Sequence, residues 1–146
     1  MFGAVPISAV TAFAENVPDG TDKYFVLSWD EDNRQVVSTE ADIPGDAGEI
    51  TATTTALSGG VYAVDGEVTV DARITVSGDT SLILKDGCKL TLKEGLEVSA
   101  HGSLTIYGQT EETGELITPR VSENYAAIGL SDFAELNIHG GKIEVH

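Results

Sequence analysis

The chain has 146 residues, enough for one domain with a hydrophobic core. Eight basic residues stand against 24 acidic ones, a formal charge of −16. That leaves no basic footprint for nucleic acid and disfavours an anionic membrane surface, while suiting solubility outside the cell, Ca²⁺ uptake or neutral glycan partners. Val, Ile and Leu dominate the apolar residues and threonine is abundant, a mixture that suits strands better than helices.

Residues 1–14 are apolar and small and finish on Ala12-Phe13-Ala14, which fits a signal-peptidase site. The basic leader region is missing and Pro6 interrupts the apolar run, so the expectation is the remnant of a truncated export signal. No stretch of about 20 apolar residues follows, and no membrane span is expected. Residues 15–22 contain Pro18-Asp19-Gly20, a linker signature. Tyr24-Phe25-Val26-Leu27-Ser28-Trp29, the acidic run Asp30-Glu31-Asp32-Asn33 and residues 34–39 then read as strand, turn and strand. A second linker spans 42–48, and the threonine-rich 51–55 leads into Gly59-Gly60. Residues 15–60 are therefore expected to form a linker and β-hairpin cap.

From residue 61 the pattern changes. Short alternating strands fall at Val68/Val70, Ile74/Val76 and Leu82/Leu84. Adding 22 to each number gives Leu90/Leu92, Leu96/Val98 and Leu104/Ile106, aliphatic at all six positions. Three short strands per 22 residues predict one coil of a right-handed parallel β-helix, about three coils long over 61–146. Coils about 4.8 Å apart would place Val68 beside Leu90 and Leu82 beside Leu104. Glu67 would stack on Lys89 and Asp71 on Lys93, each pair contributing about 0.2–1 kcal/mol.

The repeat then loosens. Leu104/Ile106 recurs as Leu136/Ile138, so ten residues have been inserted, with 109–113 and 119–124 as the candidate insertions. Leu116 takes the place of Leu90, and Ile128 and Leu130 those of Leu96 and Val98. Ile143/Val145 opens another coil. The expectation is a helix cut short, whose open last coil pairs with further coils or with another chain.

Little in the sequence points to catalysis. Cys88 is the single cysteine, which excludes an intrachain disulfide; it follows Lys85-Asp86-Gly87 and reads as a passive turn residue. His101, His139 and His146 stand at turn, ladder and terminal positions, without the spacing of a metal-ligating pair. Asp30-Glu31-Asp32-Asn33 has Gln35 where a Ca²⁺ loop needs glycine, and Ala41 where it needs an acid. Glu111, Glu112, Glu115 and Glu123 flank the insertions and could bind Ca²⁺ weakly; no other cofactor or metal site is expected. The outward acids Asp71, Asp79, Asp86, Glu94 and Glu97 do not stack on one another, and Arg73 and Arg120 have no carboxylate cluster nearby. Tyr107, Tyr125 and Phe133, in the irregular coil, are the candidate glycan contacts, with Tyr125 and Phe133 flanking a shallow groove.

Four segments are familiar as a set: Ser81-Leu82-Ile83-Leu84-Lys85-Asp86-Gly87, Ser103-Leu104-Thr105-Ile106-Tyr107-Gly108-Gln109, Ala126-Ala127-Ile128-Gly129 and Leu136-Asn137-Ile138-His139-Gly140-Gly141. Residues 24–146, the Trp29-Asp30-Glu31 hairpin included, resemble the β-helix region of secreted and cell-surface proteins of gut Firmicutes, often labelled carbohydrate-binding domain-containing. The resemblance implies an extracellular, multi-domain setting with further glycine-rich coils. This chain departs from it at Gly129-Leu130-Ser131-Asp132, where such proteins carry a glycine-rich run. The expected role is a non-catalytic surface scaffold or adhesin, with a polysaccharide, cell-wall or host-surface glycan as the partner class. A carbohydrate-binding module is the first alternative, and a fragment of a polysaccharide lyase or hydrolase the second.

Overall fold

A computed structural model describes residues 23–119 and 126–146. Among these the chain is all-β, without a helix. Strands β1 (Lys23–Asp30) and β2 (Gln35–Asp42) form an antiparallel hairpin around an acidic turn. Asp30 builds that turn, its carboxylate accepting from the amides of Asp32 and Asn33 and from the Asn33 side chain. Short side-chain acceptors of this kind favour turns over continued strand.

All other strand pairing is parallel. One sheet runs in the order β13 (Lys142–Val145), β10 (Glu115–Thr118), β7 (Lys89–Leu92), β5 (Glu67–Val70). The second follows the path β11 (Ile128–Leu130), β8 (Leu96–Val98), β6 (Ile74–Leu84), β4 (Ala56–Val64), β3 (Gly48–Glu49). From this path β9 (Ser103–Gly108) branches off β6, and β12 (Glu135–Ile138) pairs with β9.

The register explains why an apolar–polar–apolar strand recurs. Val68 lies beside Leu90, Ile74 beside Leu96 and Val76 beside Val98, each 22 residues on. In a strand, alternate side chains share a face, so every aliphatic pair meets its counterpart on the inner side. Val70, Val76, Leu84, Leu92, Val98, Leu104, Ile106 and Leu116 are fully buried there, giving one continuous core. Leu116 on Leu90, Ile128 on Leu96 and Leu136 on Leu104 extend it.

Three features differ from the sequence reading. First, residues 74–84 form one strand of 11 residues rather than two. Gly78, at φ +68°, turns the extended backbone without ending it. Second, Leu82 aligns with Ile106, and Thr80 with Leu104, an offset of 24 rather than 22. The turn 99–102 opposes only Ser77 and Gly78, which adds two residues. A shift of two keeps each side chain on its own face, so the core pattern survives. Third, the parallel pairing begins at Gly48, where β3 joins β4, and not at residue 61. Gly59-Gly60 lie within β4 at a register shift, instead of preceding the first strand.

The ten extra residues inferred between Leu104 and Leu136 divide accordingly. Two lie in the turn 131–134, which, like 99–102 below it, has four residues where the first coil has only Ser77 and Gly78. Two more fall between Gly108 and Glu115, the partners of Leu84 and Lys89. The remaining six lie between Thr118 and Ile128, a stretch that includes the undescribed 120–125.

Candidate functional site

Of the aromatic residues singled out from the sequence, Tyr107 and Phe133 are among the described residues, Tyr107 in β9 and Phe133 in the turn before β12. Tyr107, near the end of β9, is sandwiched by the chain itself: Tyr24 of the hairpin meets it edge-on at 4.8 Å between ring centroids, and His139 lies against it at 4.9 Å. Burial raises the Tyr24 phenol above its ordinary range, with Tyr107 as a second cause. His139 also accepts a hydrogen bond at Nδ1 from the Leu27 amide at 2.9 Å. Gln109 Nε2 donates to the Lys23 carbonyl at 2.9 Å. Tyr107 therefore belongs to the seam where the hairpin docks on the parallel sheet. Ile83, its register partner, is fully buried although it points away from the core, so this side of the sheet is covered.

Phe133 stands in the turn between β11 and β12 and is 81% exposed. It stacks on His101 at 5.3 Å, with an interplanar angle of 5°. His101 is in the equivalent turn one rung below, and both residues have positive φ, +61° and +59°. Two turns of the same geometry superpose and bring the rings face to face. A flat, exposed ring of this kind is what a sugar face packs against. Tyr125, the third candidate, lies outside the described residues, as do Arg120 and Glu123.

Several outward carboxylates along the ladders are held by neighbouring groups, and two of them, Glu115 and Glu144, share Lys142. Asp71 pairs with Lys93 at 2.6 Å. Glu67 is the register partner of Lys89, as expected. Lys142 donates to Glu115 at 2.9 Å and holds that carboxyl below its ordinary value. Asp79 accepts from Ser103 at 2.9 Å. Glu97 accepts from the Ser131 hydroxyl at 3.0 Å and lies 3.6 Å from the Arg73 guanidinium. Arg73 in turn donates to the carbonyls of Glu94 and Ala126. Asp86 accepts from the Glu111 amide, while its own amide donates to Gln109 Oε1 at 2.9 Å. The acids beside the 109–113 insertion thus organise a turn on a turn. Among the described residues, no three His, Cys, Asp or Glu side chains converge as a metal-ligating group.

The acidic hairpin turn is likewise occupied by its own amides, and hydrogen bonds from Asn33 lower the Asp30 carboxyl. Cys88 faces the core at 1% exposure, and desolvation raises its thiol above the usual value. It is passive through burial rather than through its place beside a turn.

A feature the sequence reading did not single out is a shallow depression of about 420 Å³ lined by Pro44, Asp46, Gly48, Gly59, Gly60 and Tyr62. The Tyr62 ring lies so close over Gly48 that a Cβ there would collide with it. Gly48 was the available signal, since a glycine in a strand lets another group approach the backbone closely.

Compared with protein-family models, curated proteins and solved structures, the chain matches none.

Proposed function

We propose that the chain is a right-handed parallel β-helix module that acts outside the cell, at its surface, as a non-catalytic scaffold or adhesin. The observation that carries this reading is how its outward carboxylates are used. Asp71, Asp79, Glu97 and Glu115 each bind a side chain of the next rung, and Asp86 binds backbone amides of the turn above it. Glycoside cleavage needs two carboxyl groups facing one substrate bond, one of them tuned to hold a proton. Here the acids couple rungs instead. The in-register aliphatic ladders support a stiff rod that presents its turns and insertions to a surface. An extracellular site is supported by the Ala12-Phe13-Ala14 motif and by the family resemblance of residues 24–146.

A glycan array probed with the full chain tests the role. A scaffold gives no reproducible signal, and incubation with pectic or uronic-acid polymers releases no unsaturated or reducing ends. Release of such ends overturns the non-catalytic reading. One observation favours a carbohydrate-binding module as the second reading: the exposed Phe133 ring stacked on His101. Reproducible array binding that is lost in Phe133→Ala would put that reading first.

A further inference from the structure

Strand β1 bonds to β2 along one edge and turns its other edge to the parallel sheet. In an antiparallel pair, alternate residues point their backbone groups toward the partner strand or away from it. Lys23 and Leu27 are of the second kind. The Lys23 carbonyl accepts from Gln109 Nε2, and the Leu27 amide donates to His139 Nδ1, each at 2.9 Å. Two side chains thus occupy an edge on which another strand would otherwise pair.

The bond to Leu27 fixes the state of the imidazole. A backbone amide can only donate, so Nδ1 must offer a lone pair and the ring proton must sit on Nε2. The ring has little room to retreat. The His139 amide donates to the Ile106 carbonyl at 2.8 Å, and the ring lies 4.9 Å from that of Tyr107. At the next residue, Gly140, a Cβ would stand 3.0 Å from the Gly108 nitrogen. A proton added at Nδ1 turns the acceptor into a donor aimed at a second donor.

We propose that His139 is a pH-sensitive latch: its neutral ring holds the hairpin against the parallel sheet, and protonation at Nδ1 releases it. Release uncovers Tyr107 and the side of the sheet on which Ile83 is buried, and it frees the edge of β1. Docking needs the neutral ring, so it is favoured at higher pH and lost as the pH falls through the histidine range, ordinarily around 6.5.

The charged groups on the elements packed around the ring are largely engaged elsewhere. Lys23 bonds to Asp42 at 3.0 Å with Glu40 at 3.8 Å, and Lys142 bonds to Glu115 and Glu144. Asp30 closes the hairpin turn, which also holds Glu31, Asp32 and Arg34. Glu135 opens β12, and Glu111 has its amide on Asp86. Glu112 differs: its Oε1 lies 3.4 Å from where a Cβ on Gly140 would stand, so a carboxylate waits beside a ring that gains a charge. The Tyr24 phenol, raised by burial, stays neutral. The latch is independent of the scaffold role, and an array result leaves it untouched.

NMR of the full chain at about pH 7.5 and about pH 5.5, either side of the histidine range, tests it. At the higher pH the ¹⁵N shifts of His139 should place the proton on Nε2. Protection of the Leu27 amide, corrected for the intrinsic exchange rate at each pH, should fall roughly ten-fold at the lower pH, the scale of a lost hydrogen-bond partner. The Tyr24–Tyr107 ring contact should weaken with it. The Lys93 amide, bonded to the Val70 carbonyl, should keep its protection and so report that the sheet is folded. His139→Asn and His139→Phe both remove the titrating ring, and in each the Leu27 protection should be the same at the two pH values. Parent protection that does not change with pH overturns the proposal. So does a proton on Nδ1 at the higher pH, or an acid response in His139→Asn equal to the parent's, which would place the titrating group elsewhere.

Discussion

Gly95 has φ +69°, and a Cβ there would run into the carbonyl of Ala127, whose oxygen accepts the Leu96 amide at 2.9 Å. Gly87 has a similar φ of +78° but open space around its missing Cβ. The two glycines therefore separate backbone strain from packing. Gly87→Ala should cost only the left-handed penalty, about 1–2 kcal/mol. Gly95→Ala should cost about 1–3 kcal/mol more, since neither backbone can give way. Denaturant midpoints check this, and equal losses would mean the Ala127 contact is not tight in solution. Cys88 offers a second check at this scale. Its thiol is raised by burial, so the folded chain holds the proton that the unfolded chain releases near the ordinary value of 9.0. Its contribution to stability is complete below that pH and is lost as the pH rises through the higher folded value. At pH 8 a thiol reagent should label it only after denaturation.

At the scale of strands, register is set by hydrophobic pairs and decorated by charge. The Glu115–Lys142 rung is exposed, so its contribution is small and screened by salt. Its direction can still be tested. The hydrogen bond from Lys142 lowers the Glu115 carboxyl below its ordinary 4.5, so its stabilisation is present above that pH and is lost as the pH falls through the lower folded value. In an NMR titration Glu115 should have its midpoint below 4.5, and Lys142→Ala should move it upward. An unmoved midpoint would show that the rung does not pair in solution.

Among the described residues as a whole, the hairpin is the one antiparallel element, and it is held to the parallel sheet by few contacts. These include the Tyr24–Tyr107 edge contact and the two hydrogen bonds that join Leu27 to His139 and Gln109 to Lys23. A unit held by so few contacts opens before the core does. His139→Ala should speed exchange of the Leu27 amide, while core ladder amides such as that of Lys93, bonded to the Val70 carbonyl, keep their protection. Loss of protection in both would mean that hairpin and sheet unfold as one.

The parallel ladders and most of the core were legible from Val68 to Val145, because an inward-facing strand must alternate and a stacked strand must repeat. The two-residue shift at Leu82 was not, since turn length changes the offset without disturbing the alternation. Charged neighbours such as Asp71 and Lys93 could be read for the same reason as the aliphatics: strict register places them together. The role of Tyr107 could not, because it depends on Tyr24, 83 positions earlier in the chain, folding back onto β9. Nor could the His101–Phe133 stack, which arises from two turns sharing a left-handed residue at one corner. Periodicity alone thus determined which residues face inward and which strands are neighbours. Which outward residues are covered, stacked or left open was decided only by tertiary contact, because that depends on the hairpin folding back and on turn conformation, which no sequence period sets.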